Sequence, residues 1–136
     1  MYLPAAGHCL LIPSGPSLHL HFVLCDPTTI HGYGTNHHVV LVNATSLDPT
    51  LPYDASCVLN AGCHPFITHE SFIAYRWAKF ESCNHIGAMV ASNFWKISST
   101  CDTTLIQKIS AGACVSKLAA RDLKLFLKCP GVLPRH

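Results

Sequence analysis

His19 and His21, one residue apart, are the first groups in the chain whose type and spacing suit chemistry. In an extended segment they share one face, about 6.8 Å apart along the strand. Imidazole exchanges its proton near neutral pH, so the pair can act as base and acid on a ribose 2′-hydroxyl. Such a reaction also needs groups that meet the charge growing on the phosphate. Thr45 and Ser46 are hydroxyls able to orient it if their strand lies beside the histidines, and Arg76 is the electrostatic stabiliser. The competing reading of His19 and His21 is a wet strand end where histidine is merely tolerated.

A second polar cluster runs from His64 to Ser71, HPFITHES. His64, His69 and Ser71 can hold a phosphate together with Arg76. Alternatively, His64 and Ser71 bond turn backbone and serve only structure. Cys57, Cys63, His64 and His69 lie within thirteen residues and are donors of the kind zinc takes. Their C-x5-C-H-x4-H spacing lacks a short chelating loop, and adjacent Cys63 and His64 point to opposite sides of an extended chain. No metal site and no cofactor are expected. A thiol nucleophile such as Cys25 beside His19 is a further alternative, but Cys25 reads as a strand-core residue.

The elements that must position these groups follow from periodicity and breakers. Gly7–Pro13 is a short apolar strand closed by a Ser14–Ser17 turn. Leu18–Cys25 is a strand in which His19 and His21 alternate with Leu18, Leu20 and Phe22. His38–Asn43 is rich in β-branched residues and leads into Thr45 and Ser46. Ala55–Leu59 and Ser71–Phe80 complete the strands, while 85–100 fits either a strand or a loop insert. Asp102 caps a helix over Thr103–Ser110 that Gly112 ends. Ser116 caps a second helix, Lys117–Lys128, with Lys117, Arg121, Lys124 and Lys128 on one face. Residues 130–136 form a loose tail. Short turns favour antiparallel pairing, so the fold class is mainly β with C-terminal α. The expected architecture is a small barrel of about five or six strands carrying one or two C-terminal helices.

Composition narrows the function further. The 136 residues make one domain, 49% hydrophobic and only 12% charged, which argues against disorder and for a partnered surface. Charge is divided along the chain. Residues 1–75 hold four acids and no Lys or Arg; residues 76–136 hold all nine cations and three acids. An anion site in the first half must therefore use His, hydroxyls or backbone N–H groups. A nucleic-acid surface must draw on the second half, where the stripe of Lys117, Arg121, Lys124 and Lys128 is the one organised basic feature. Eight cysteines without a C-x-x-C, and a start lacking the basic and apolar regions of a secretory signal, point to mainly reduced thiols in a cytoplasmic protein. No apolar run is long enough to span a membrane.

This order of elements resembles the PemK/MazF-type toxin family. The resemblance starts at Gly7-His8 with the strand CLLIP, continues through Leu18–Cys25 and VVLVN with Thr45-Ser46, and ends with Ser71–Phe80, Gly112 and Ser116–Lys128. It implies an SH3-like barrel, metal-independent endoribonuclease activity, RNA as substrate, an antitoxin as protein partner and a homodimer. The family's arginine near the second strand has no counterpart, because no arginine precedes Arg76. Two functions follow: a ribonuclease using His19, His21, Thr45, Ser46 and Arg76, or a non-catalytic interaction module on the same barrel.

Overall fold

The computed structural model describes residues 1–133, so Pro134, Arg135 and His136 of the expected tail lie outside the described residues. Seven strands form the sheet: β1 Cys9–Ser14, β2 Ser17–Val23, β3 His38–Ser46, β4 Val58–Leu59, β5 Ser71–Ile73, β6 Lys79–Ser82 and β7 Lys96–Ser98. Every pairing is antiparallel. The helices are α1 Cys83–Ala91, α2 Thr103–Val115 and α3 Arg121–Phe126. The mainly-β class with helices at the C-terminal end thus holds. The strand path β4-β5-β3-β2-β1-β7 does not close on itself, so the sheet is open rather than a closed barrel. Its end strands are only two and three residues long. The outer carbonyl of Val58 in β4 accepts a 2.8 Å hydrogen bond from Lys108 Nζ.

β3 is the hub because both of its faces are apolar. Val40, Val42 and Ala44 enter one core; Val39 and Leu41 enter the other. The first core lies against α2 and α3, with Phe22, Leu59, Ile73, Tyr75 and Ile109 among its members. The second lies against α1 and Trp95, with Leu10, Val23, Cys83 and Ile86. Three layers result: α1, the sheet, and the α2–α3 side. Burying two cores from one sheet explains the high hydrophobic share in so short a chain.

Several sequence expectations are corrected. Ser71–Phe80 is not one strand: a 3-10 turn at Tyr75–Trp77 separates β5 from β6. Tyr75 causes the break, since its ring is buried and its hydroxyl donates to the Ile109 carbonyl at 2.6 Å. The ambiguous stretch 85–100 is helix α1, capped by Ser82, followed by β7. Asp102 caps α2 as expected, accepting from Leu105 N–H at 2.8 Å, but α2 runs past Gly112 to Val115. Gly112 is there because α2 presses on the core: a Cβ at this position would sit 2.3 Å from Tyr75 Oη and 2.8 Å from Cys57 Cβ.

The second predicted helix shrinks most. Ser116 Oγ accepts from the N–H groups of Leu118 and Ala119 and donates to Asp54 Oδ2 at 2.5 Å. That turn keeps residues 117–119 out of α3. At the other end Lys128 has φ 58°, and Cys129 is bonded to Cys114. Lys117 and Lys128 therefore flank α3 rather than extend it, and the four cations do not form one helical face. The Cys114–Cys129 disulfide also departs from the expectation of reduced thiols; the chain reversal through α3 brings the two cysteines together. Cys9, Cys25, Cys57, Cys63, Cys83 and Cys101 are free.

Candidate functional site

The sheet supplies a site where two strands part. β2 and β3 are paired only over His21–Val23 and Leu41–Asn43. Beyond Asn43, residues Ala44–Ser46 pair with β5 on the other edge of β3. The gap left beside β2 becomes a pair of adjoining clefts. The first, about 610 Å³, is bordered by His19, Thr45, Ser46, Thr68, His69 and Ser71. The second, about 510 Å³, is bordered by His19, His21, Asn43, Thr45, Trp77 and Lys79. His19 and Thr45 border both. Of the residues expected to meet, His19, His21 and Thr45 border the second cleft together, while Ser46 borders only the first and His21 only the second.

Alternation along β2 places the histidines. Leu20 and Phe22 point into the first core, so His19 and His21 point to the opposite face, where α1 covers only the far end. His21 stands directly across from Asn43. Its Nδ1 lies 3.1 Å from the His19 carbonyl oxygen and donates to it, which leaves Nε2 as the acceptor of a neutral ring. Burial lowers the His21 pKa to about 4, and the nearby charge of Lys79 pushes the same way against the hydrogen bond to His19. His21 is thus neutral throughout the physiological range.

The hydroxyl partner is held as well. Asn43 Nδ2 donates to Thr45 Oγ1 at 3.2 Å, so the Thr45 hydroxyl proton is free to point to an anion. Lys79 supplies the cation. Its Nζ is 3.3 Å from Glu81 Oε2 and 5.7 Å from the Trp95 ring centroid, which anchors the stem beneath the histidines. Neither cleft has a carboxylate among its described lining residues.

Arg76 borders neither of these two clefts. Its guanidinium lies 5.1 Å over the Trp77 ring and lines a neighbouring depression that also includes Thr45, Tyr53, Phe72 and Leu118. Thr45 and Trp77 are common to that depression and the second cleft, whereas Lys79, after the 3-10 turn at 75–77, borders the second cleft itself. Asn43 and Lys79 were not singled out from sequence. Asn43 was nevertheless visible as the polar break in VVLVN, and Lys79 as the cation alternating with Trp77 and Glu81.

The His64–Ser71 cluster divides. His64 is 2% exposed, donates from Nε2 to the Ser99 carbonyl at 2.7 Å and accepts from Phe66 N–H at its Nδ1. Both ring nitrogens are used, so His64 holds the loop to the segment before α2 and has neither a free N–H for a phosphate nor a free lone pair for a metal. Ser71 is buried and donates to the His69 carbonyl at 3.0 Å. His69 is exposed at the rim of the larger cleft. Among the described residues, no three His, Cys, Asp or Glu side chains are placed to share a metal ion. Also among them, no helix is long and apolar enough to cross a membrane.

Comparison of the chain with family models, with curated proteins and with solved structures returns no match.

Proposed function

We propose that the chain is a divergent PemK/MazF-type toxin, an endoribonuclease that cuts RNA without a metal, on an opened relative of the SH3-like barrel. The observation that carries this reading is the second cleft. It combines two imidazoles, one with its acceptor nitrogen left free, with a hydroxyl fixed by Asn43 and an ammonium from Lys79. In the absence of a lining carboxylate, imidazole is the base the cleft offers.

The chemistry follows from those groups. His21 Nε2 takes the proton of the ribose 2′-hydroxyl as its oxygen attacks the adjacent phosphorus. His19 gives a proton to the departing 5′-oxygen. Thr45 and Lys79 meet the charge on the phosphate oxygens, the role sequence reading gave to Arg76. Ser46, at the mouth of the adjoining cleft, orients the next phosphate. The products are a 2′,3′-cyclic phosphate and a 5′-hydroxyl. Lys117, Arg121, Lys124 and Lys128 supply the wider attraction for RNA. The reading carries with it a cytoplasmic location, an antitoxin partner and a homodimer.

The test is cleavage of varied RNAs in EDTA by folded protein free of any antitoxin. RNA is cut, DNA of the same sequence is not, and His19→Ala or His21→Ala lowers the rate on the order of 10²-fold. Absence of EDTA-resistant cleavage sinks the enzyme reading and leaves the non-catalytic interaction module.

A further inference from the structure

The six free cysteines include one pair that shares a single backbone carbonyl. Cys9 Sγ lies 3.8 Å from the Gly7 carbonyl oxygen, and the Cys101 N–H donates to that same oxygen at 2.9 Å. The Cys101 side chain packs against the core cluster that contains Cys9. Gly7, at φ 88°, permits the approach; a Cβ there would stand 3.1 Å from the Cys101 carbonyl. Cys9 is wholly buried, whereas Cys101 is partly exposed in a small depression of about 80 Å³ with Ala6, Gly7, Thr103 and Ile106. One sulfur is thus reachable from solvent and the other waits behind it.

From this geometry we infer that Cys9 and Cys101 form a reversible disulfide by exchange with a small disulfide such as glutathione disulfide. The polarity of the pair agrees with this order. A hydrogen bond from Cys9 lowers the Cys101 pKa, and the same bond, with burial, raises that of Cys9. Cys101 is therefore the attacking thiolate and Cys9 the resolving thiol. In the first step Cys101 Sγ attacks one sulfur of glutathione disulfide. The glutathione S–S bond breaks, a Cys101–glutathione bond forms, and the expelled glutathione thiolate takes up a proton. In the second step Cys9 releases its proton and attacks Cys101 Sγ. The mixed disulfide breaks, the Cys9–Cys101 bond forms, and a second glutathione leaves. Two protein thiols are oxidised, and one glutathione disulfide is reduced to two thiols. The new bond ties β1 to the segment entering α2, whose other end already carries Cys114–Cys129.

The experiment exposes the folded protein to graded mixtures of reduced and oxidised glutathione, quenches with acid, alkylates free thiols and maps unreduced peptides by mass spectrometry. The expected result is a Cys9–Cys101 linked pair beside Cys114–Cys129, a loss of two further hydrogens, and an upward shift in Tm. Cys9→Ser leaves Cys101 holding one glutathione, and Cys101→Ser leaves Cys9 as an unmodified thiol. If either variant does not fold, the peptide map of the unaltered protein decides alone. A lasting glutathione adduct on Cys101 of that protein overturns the inference. So does linkage of other cysteines in its place, or recovery of both as free thiols in glutathione disulfide alone.

Discussion

Acidification from pH 7 to pH 5 weakens the fold through His21. Its ring is neutral in the folded protein, with the pKa lowered from 6.5 to about 4, mainly by burial. In the unfolded chain the ring titrates at the ordinary value. As pH falls below 6.5 the unfolded state takes up a proton that the folded state refuses, so stability is lost. The loss levels off once the pH passes the folded pKa and both states are protonated. Two and a half pK units at 1.36 kcal/mol each give a total of about 3 kcal/mol, of which about 2 kcal/mol falls between pH 7 and pH 5. Urea unfolding at both pH values, for the native protein and for His21→Gln, isolates the effect, because the other titrating groups act in both and cancel. The native protein should lose about 2 kcal/mol more than the variant over that interval. Equal losses in the two proteins refute the reasoning, as does a His21 ring resonance whose NMR titration centres near pH 6.5.

Lys79→Met removes the like charge beside His21, so the His21 midpoint rises in the same NMR titration; cleavage of RNA in EDTA falls about 10-fold or more, whereas Arg76→Ala stays within about 2-fold. Gly112→Ala, which favours an isolated helix by about 1 kcal/mol, instead costs about 2–3 kcal/mol in urea unfolding, because its Cβ collides with Tyr75 Oη and Cys57. Cys114→Ser, which opens the loop spanning 15 residues around α3, costs about 3 kcal/mol by the same measurement.

What could be read from sequence was whatever local periodicity controls. The alternation of LHLHF put His19 and His21 on one face, and β2 keeps them there. The apolar run of HVVLVN marked the hub strand, and Asp102 marked the start of α2. The misread positions are those governed by distant partners. Tyr75 breaks an apparent strand for a hydrogen bond to Ile109, and Gly112 answers to the same tyrosine rather than to the end of its helix. Ser116 looked like a helix cap, but its bond to Asp54 lies 62 residues away in sequence. That contact holds the acid below the usual carboxylate range: burial acts to raise its pKa, and the hydrogen bonds from Ser116 and Ser56 outweigh it. The choice of Lys79 over Arg76 depends on the turn at 75–77, which no local pattern announced. The histidine pair was therefore legible while its cation was not.

The open sheet has a consequence for behaviour in concentrated solution. A chain this apolar and this weakly charged invites edge-to-edge polymerisation, because an unpaired strand is a template for the next molecule. The two ends of the strand path offer poor templates, and the further free edge at β6, paired only with β3, is four residues long and also begins with a lysine, Lys79. β4 presents two residues, and the Lys108 ammonium occupies its Val58 carbonyl before any incoming strand can. β7 presents three, led by the exposed cation Lys96. Each terminus of the sheet is thus blunted by brevity and by a lysine, both drawn from the half of the sequence that holds all the fixed positive charge. The cations of this protein do more than attract polyanions: two of them guard the ladder against copies of itself.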